Sequence, residues 1–474
     1  MVSHYLDKLT AFIERTENSV IPVVARKRAQ FIIADCVAAI VGGMAEPEME
    51  LLFTSMPGSV PAPEAPPTSA KILGTHYRSD AINAALINGT AGTALEMDEG
   101  HQFARGHPGM HVFPALLSAA QVKPVSDETF LTAFIVGYDI AARIGIATAL
   151  NGNMHPHGTW GGLGGAAALA SLYRLDASQI KTYLNIVSSL SLATSRQTMF
   201  EGGTVRNVYT GVSNQMAHIG YQLLQAGFSG EADGIKSVFG GVVSSSFDEE
   251  KACELIGKRF EVTRNYFKLH ACCRYNHAAL DALWQLMDAH SALADITMIN
   301  AIDVTSYSLA AELVDPAPQN VLASKFSIPF AIATTLVNRS SKVHSFTNDA
   351  VANPTILSLA SKVTIREDTT MSAKLPDLRP ATVTITLANG DVLAASVDTN
   401  RGDWQAPYTP AQIKDKYLSL TTRIWSDEKA EDVFAAIMNC NIKLMIAAHQ
   451  VWDILESRWI LSVIGKLMCK YYTV

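Results

Sequence analysis

The sequence predicts a mainly α protein, with one large helical domain built from both chain ends and a smaller α+β unit inserted between them. Three observations carry this. Up to about residue 260 the chain is dominated by Ala-rich helical segments separated by Gly, Pro and Asn. After residue 268 β-branched runs alternate with helices, and from about residue 406 the helical texture returns. The expected division is therefore 1–267 and 406–474 for the helical domain and 268–405 for the insert.

The individual elements follow from local signals. The N-terminal segment "HYLDKLTAFIER" reads as an amphipathic helix, not a signal peptide. "RKRAQFIIADCVAAIVGG" and "SDAINAALINGTAGTALEM" read as buried helices, and the Pro-rich stretch 55–70 as a surface loop. Ser126 is a good helix N-cap, with Asp127 and Glu128 in the first turn where the helix dipole favours negative charge. Small residues in "GGLGGAAALASLY" allow close approach of helix axes. In the insert, "HAALDALWQLMDAH" and "PFAIATTLVNRS" read as helices and "ITMINAIDVTSY" as a strand. "ATVTITLANGDVLAASVD" gives two alternating runs joined by Asn-Gly-Asp, a hairpin signal.

Composition narrows the function classes. Of 474 residues 48% are hydrophobic and 17% charged, so part of the surface is expected to be covered in an oligomer. A net charge of −7 without a Lys/Arg block argues against nucleic acid or an anionic membrane as partner. No uninterrupted apolar stretch is expected to approach the ~20 residues that span a bilayer. The six cysteines show no CxxC spacing, which fits reduced thiols and a cytoplasmic location.

Four segments concentrate the chemistry. "EMDEGHQFARGHPGMH" (96–111) holds Glu96, Asp98, Glu99, Arg105 and three histidines. Pro108 suits the first turn of a helix, which puts His107 beside an N-terminus where an anion, such as a substrate carboxylate, is favoured. The plainer reading is that Asp98 or Glu99 caps a helix. A metal site at His107 and His111 is disfavoured because Pro108 interrupts the helical spacing. "NMHPHGTWGGLGGAAALA" places His155 in a loop before a helix; it lacks the preceding strand that a dinucleotide fingerprint needs. "FEGGTVRNVYTG" offers Arg206, a planar fork for carboxylate, and Tyr209. "YFKLHACCRYNHAALDA" sets Lys268, His270, Arg274 and His277 where the two textures meet, with Cys273 read as a structural thiol.

These segments, in this order and together with "KFSIPFAIA", resemble the MmgE/PrpD family, which includes 2-methylcitrate dehydratase, cis-aconitate decarboxylase and iminodisuccinate epimerase. The resemblance runs from the N-terminal helices to about residue 420. It implies a homodimer whose helical domain carries the α+β insert as a lid, with the site between them and neither metal nor organic cofactor. It also implies site positions at Glu96, Gly100, His107, His155, Arg206, Lys268 and Phe330. Several differ from the family's usual residues: Glu96 stands for Asp, Gly100 for Thr or Ser, Arg206 for Lys, Tyr209 for His, and Phe330 for the Tyr of the decarboxylase. Since ~1 Å of displacement can cost about a hundredfold in rate, these changes argue against the methylcitrate and cis-aconitate reactions specifically.

The expected activity is a cofactor-independent lyase that abstracts a proton next to a carboxylate of a small di- or tricarboxylate, with dehydration first. Epimerisation, isomerisation or decarboxylation is the alternative, and a catalytically silent carboxylate binder a third reading. His107 and His155 would serve as acid and base, Arg206 and Lys268 would neutralise charge, and Asp98 or Glu96 would orient a histidine or take the proton. Tyr209, Gly100, Phe330 and Arg105 would contact substrate. The C-terminal "ESRWILSVIGKLMCKYYTV" has apolar residues on more than one helical face and no assigned partner.

Overall fold

The computed structural model describes residues 4–441, so the C-terminal segment singled out above lies outside the described residues. Helices dominate. Those of ten residues or more are α1 (His4–Arg15), α2 (Val23–Gly43), α3 (Ala81–Ala94), α4 (Pro108–Val122), α5 (Asp127–Ala147), α6 (Gly161–Tyr173), α7 (Ala177–Ser188), α8 (Val205–Gln225), α9 (His277–Ala289), α10 (Ile328–Asn338), α11 (Pro410–Thr421) and α12 (Asp427–Met438).

The predicted caps form. The Ser126 Oγ accepts the Thr129 N–H at 3.1 Å and starts α5. Small residues do what their size permits: a Cβ added to Gly137 of α5 would come within 2.7 Å of the Gly164 carbonyl of α6, so these helices pack backbone to backbone. From Ile32 to Gly43 helix α2 is buried on all sides, as its mostly apolar second half requires. It packs against α3 and, from far along the chain, α11 and α12. Helix α5 is long and apolar enough by composition to cross a membrane, although Asp139 and Arg143 interrupt its apolar run. It is instead buried within the protein, where its Asp139 and Arg143 pair with each other.

The main sheet contains β1 (Ile299–Ser306), β2 (Val363–Glu367), β3 (Ala381–Leu387) and β4 (Val392–Val397), in the order β4-β3-β1-β2. Strands β3 and β4 form the hairpin anticipated at Asn-Gly-Asp, with Gly390 at φ +91° in the turn. Strand β3 also pairs antiparallel with β1, setting Val383 opposite Val304, while β2 joins β1 in parallel. Ala381, Val383, Ile385 and Leu387 alternate with more exposed threonines, and α9 packs against β3 and β4. The Pro-rich segment is more ordered than a loop: Val60–Pro61 and Ala70–Lys71 both pair with Tyr77–Ser79 in a small sheet.

Candidate active site

The 96–107 segment is shaped by two residues in left-handed backbone conformation. Glu96 (φ +56°) ends α3 where glycine is the usual choice, and Arg105 has φ +54°. Holding non-glycine residues there costs about 1–3 kcal/mol each, a strain that concentrates at functional sites. Between them, Gly100–His101 pairs with Asn265–Tyr266 and draws the later segment in. A Cβ on Gly100 would strike the Tyr266 ring, so glycine at this position is what lets Tyr266 reach the site.

The side chains that the sequence singled out meet here. Lys268 Nζ, fully buried, lies 3.3 Å from Glu96 Oε2 and 3.5 Å from Asp98 Oδ1. Glu96 also pairs with the Arg206 guanidinium. Although burial opposes ionisation of both acids, the positive charge of Arg206 and Lys268 lowers the Glu96 pKa, and His107 and Lys268 hold Asp98 well below the usual carboxylate range. His107 is the N-cap residue of α4, with Pro108 in the first turn as expected. Its Nδ1 lies 3.0 Å from Asp98 Oδ2 and 2.5 Å from the Glu99 carbonyl. A carbonyl only accepts, so Nδ1 carries a proton; in neutral His107 the Nε2 lone pair is free.

His155 reaches the same cavity from a loop. Its loop is fastened by His155 N–H to the Thr194 carbonyl (3.0 Å) and Thr194 Oγ1 to the His155 carbonyl (2.6 Å). The Nδ1 accepts the backbone N–H of His157 at 3.1 Å. Burial and the nearby Arg206 push its pKa well down, so the ring is neutral. The Arg206 Nε–H donates to His155 Nε2 at 3.4 Å. His157 stands edge-on between the two histidines, with ring centroids 4.7 Å from His107 and 4.6 Å from His155.

These groups border one shared cavity. Glu96, Arg105, His107, His155 and Arg206 line it, joined by residues that sequence reasoning missed or left unassigned: His157, Arg196, Tyr266, Arg274, Tyr275 and Arg379. Asp98 and Lys268 stand behind Glu96 and His107 and do not line it. Tyr209 packs 6.1 Å from the His155 ring and donates to Thr198 Oγ1 at 3.4 Å, supporting the histidine without lining the cavity. Phe330 lies in the first turn of α10, fully buried and 6.2 Å from the Phe346 ring, and does not line the cavity either; Phe326, one turn earlier, does. His270 and His277 are engaged nearby, His270 with Ser341 and Asp281, His277 with Arg274. Cys273 lines the cavity, but burial first and the Glu96 charge second push its pKa up to about 11, which keeps it a thiol.

The expectation that a substrate carboxylate would occupy the α4 N-terminus is corrected. The Gly109 N–H is already taken by Glu99 Oε1 at 2.8 Å, so the plainer capping role belongs to Glu99. Among the described residues no group of three or more His, Cys, Asp or Glu side chains is placed to hold a metal ion.

Two imidazoles thus share a cavity lined by several arginines, groups whose chemistry suits an anionic ligand and proton transfer. Comparison with known proteins names the class. The MmgE/PrpD N-terminal domain model matches residues 7–253 and the MmgE/PrpD C-terminal domain model residues 270–440, and the chain belongs to this family. It is 24% identical over 440 residues to a cis-aconitate decarboxylase of Aspergillus terreus, covering 87% of this chain and 88% of that protein. It is 21% identical over 472 residues to the cis-aconitate decarboxylase-like protein oryM of Aspergillus oryzae (91% and 93% covered). The Homo sapiens cis-aconitate decarboxylase is 22% identical over 383 residues (75% and 76%).

Proposed function

We propose that this protein is a cofactor-independent lyase that eliminates water from a hydroxylated di- or tricarboxylate. The observation that carries this is the pair of imidazoles, His107 and His155, on one arginine-lined cavity. Elimination needs a base for the proton next to the carboxylate and an acid for the departing hydroxyl. His107, with its Nδ1 proton directed at the Glu99 carbonyl and Asp98, offers Nε2 as the base. His155, beside Arg206 on the same cavity, is assigned as the acid. As the C–H bond breaks, charge moves onto the substrate carboxylate, and the Arg206 guanidinium at the cavity wall is placed to stabilise it. Asp98 holds the base in orientation and stabilises the imidazolium once the proton has moved.

Decarboxylation is the second reading, favoured by the printed names of the relatives. It requires a proton donor at the carbanion but no base, so it leaves His107 without a task in the forward step.

The test is a panel of hydroxylated tricarboxylates and their unsaturated counterparts, followed by nuclear magnetic resonance for loss of water, release of CO₂ or deuterium exchange. The wild-type protein is expected to lose water, and His107→Gln to lose about 10²- to 10⁴-fold in turnover while still folding. Release of CO₂ with His107→Gln fully active sinks the elimination reading.

A further inference from the structure

Five guanidinium groups line the cavity, and they are not equivalent. Arg196 pairs with Glu312 at 2.8 Å, Arg206 with Glu96, and Arg274 with Asp403. Arg105 is exposed at the rim. Arg379 is 3% exposed and yet has no carboxylate partner among the described residues. One terminal nitrogen donates to the Gln102 carbonyl at 2.7 Å, and the guanidinium lies 5.6 Å from the centre of the Tyr275 ring. Its Nε–H is buried without any partner. Arg274 is close enough to be felt electrostatically, and its Nε–H is also buried and unpaired. A buried cation without a counter-ion is costly, and the unused Nε–H of Arg274 beside it adds a second unmet donor. A ligand carboxylate would relieve both.

We propose that Arg379, with Arg274 beside it, receives a second substrate carboxylate, remote from the reacting carbon. This rests on the carboxylate-lyase reading and gives it a selection rule. Arg206 and His155 serve the reacting end, while the wall made by residues 266–275 and 379 takes the far end. A molecule with a single carboxylate can satisfy only one of the two. The competing role for Arg379 is purely structural, tying the segment before β3 to Gln102, whose own Nε2 donates to the Pro376 and Asp377 carbonyls at 2.7 and 2.6 Å.

Calorimetry on the full chain separates these roles, with citrate and cis-aconitate as tricarboxylates and crotonate as the monocarboxylate. Arg379→Gln is expected to weaken tricarboxylate binding about 10- to 100-fold, the worth of a charge-assisted hydrogen bond, and crotonate binding less than about twofold. Arg379→Lys should lie between. Gln102→Ala loosens the same segment but keeps the cation, and should preserve the ratio of tricarboxylate to crotonate affinity. An unchanged ratio in Arg379→Gln, or an equal fall of the ratio in Gln102→Ala, overturns the assignment alone. Failure of the wild-type chain to bind any of the three overturns the proposed function and this assignment with it.

Discussion

Asp98 and Glu99 are adjacent in sequence, both fully buried, and behave as opposites. Asp98 faces the cation cluster, where His107 and Lys268 hold it ionised. Glu99 turns to the rear, where Gly109 N–H and the Tyr138 hydroxyl are its donors at 2.8 and 2.9 Å. Burial, then the nearby Asp35, push its pKa up to about 8. One peptide bond thus separates an acid that works as an anion from one that rests as a neutral group. The contrast shows that carboxylate count says little about a site; the counter-ions within ~4 Å decide the protonation state.

Replacing the ionised partner should cost the most. Asp98→Asn keeps the shape but removes the charge that orients and stabilises protonated His107, so turnover is expected to fall about 10²- to 10⁴-fold with little change in folding. Steady-state rates beside a thermal melt check this; near-wild-type rates would remove Asp98 from the mechanism. Lys268→Met acts on the same side through stability. It leaves Glu96 with Arg206 and Asp98 with His107, but strips both acids of a shared cation. Breaking a buried pair in this way costs about 3–5 kcal/mol, to be read as a drop in the urea midpoint. A loss under ~1 kcal/mol would show that the cluster tolerates the missing charge.

Much of this was legible in the sequence because it rests on local rules. The Ser126 cap, the Asn-Gly-Asp hairpin, the glycine-lined contact of α5 with α6 and the position of His107 at the start of α4 all depend on residues close in the chain. What escaped depends on pairing across long separations. Arg274 looked like a free cation until the fold brought Asp403 to it, 129 positions away. Arg379 stands alone in "DLRPATV" and gains meaning only beside Tyr275 and Gln102. Strand β2 was missed because it is only five residues long and its partner is parallel and distant in the chain. Glu99 was read as a candidate helix cap alongside Asp98, but nothing local reveals that Tyr138 stands behind it.

The rear acid gives the gentlest and most diagnostic test of the contrast. Glu99 is raised from an ordinary 4.5 to about 8 in the folded chain, so between these values the native state holds a proton that the unfolded chain has released. The native state therefore binds more protons over this window, and its stability must fall as the pH rises from about 4.5 to 8. Below the window both states are protonated and the contribution is complete. Glu99→Gln keeps an acceptor for Gly109 N–H and a neutral head beside Tyr138 but has nothing to titrate. Its stability should flatten across that range, by an amount on the order of a few kcal/mol relative to wild type. Turnover should change less than about threefold, since Glu99 reaches His107 only through its backbone carbonyl. Denaturant midpoints of both proteins at pH values across the window decide it. Parallel curves would mean that Glu99 is ionised like its neighbour, and the two faces of this turn would then differ in partners but not in charge.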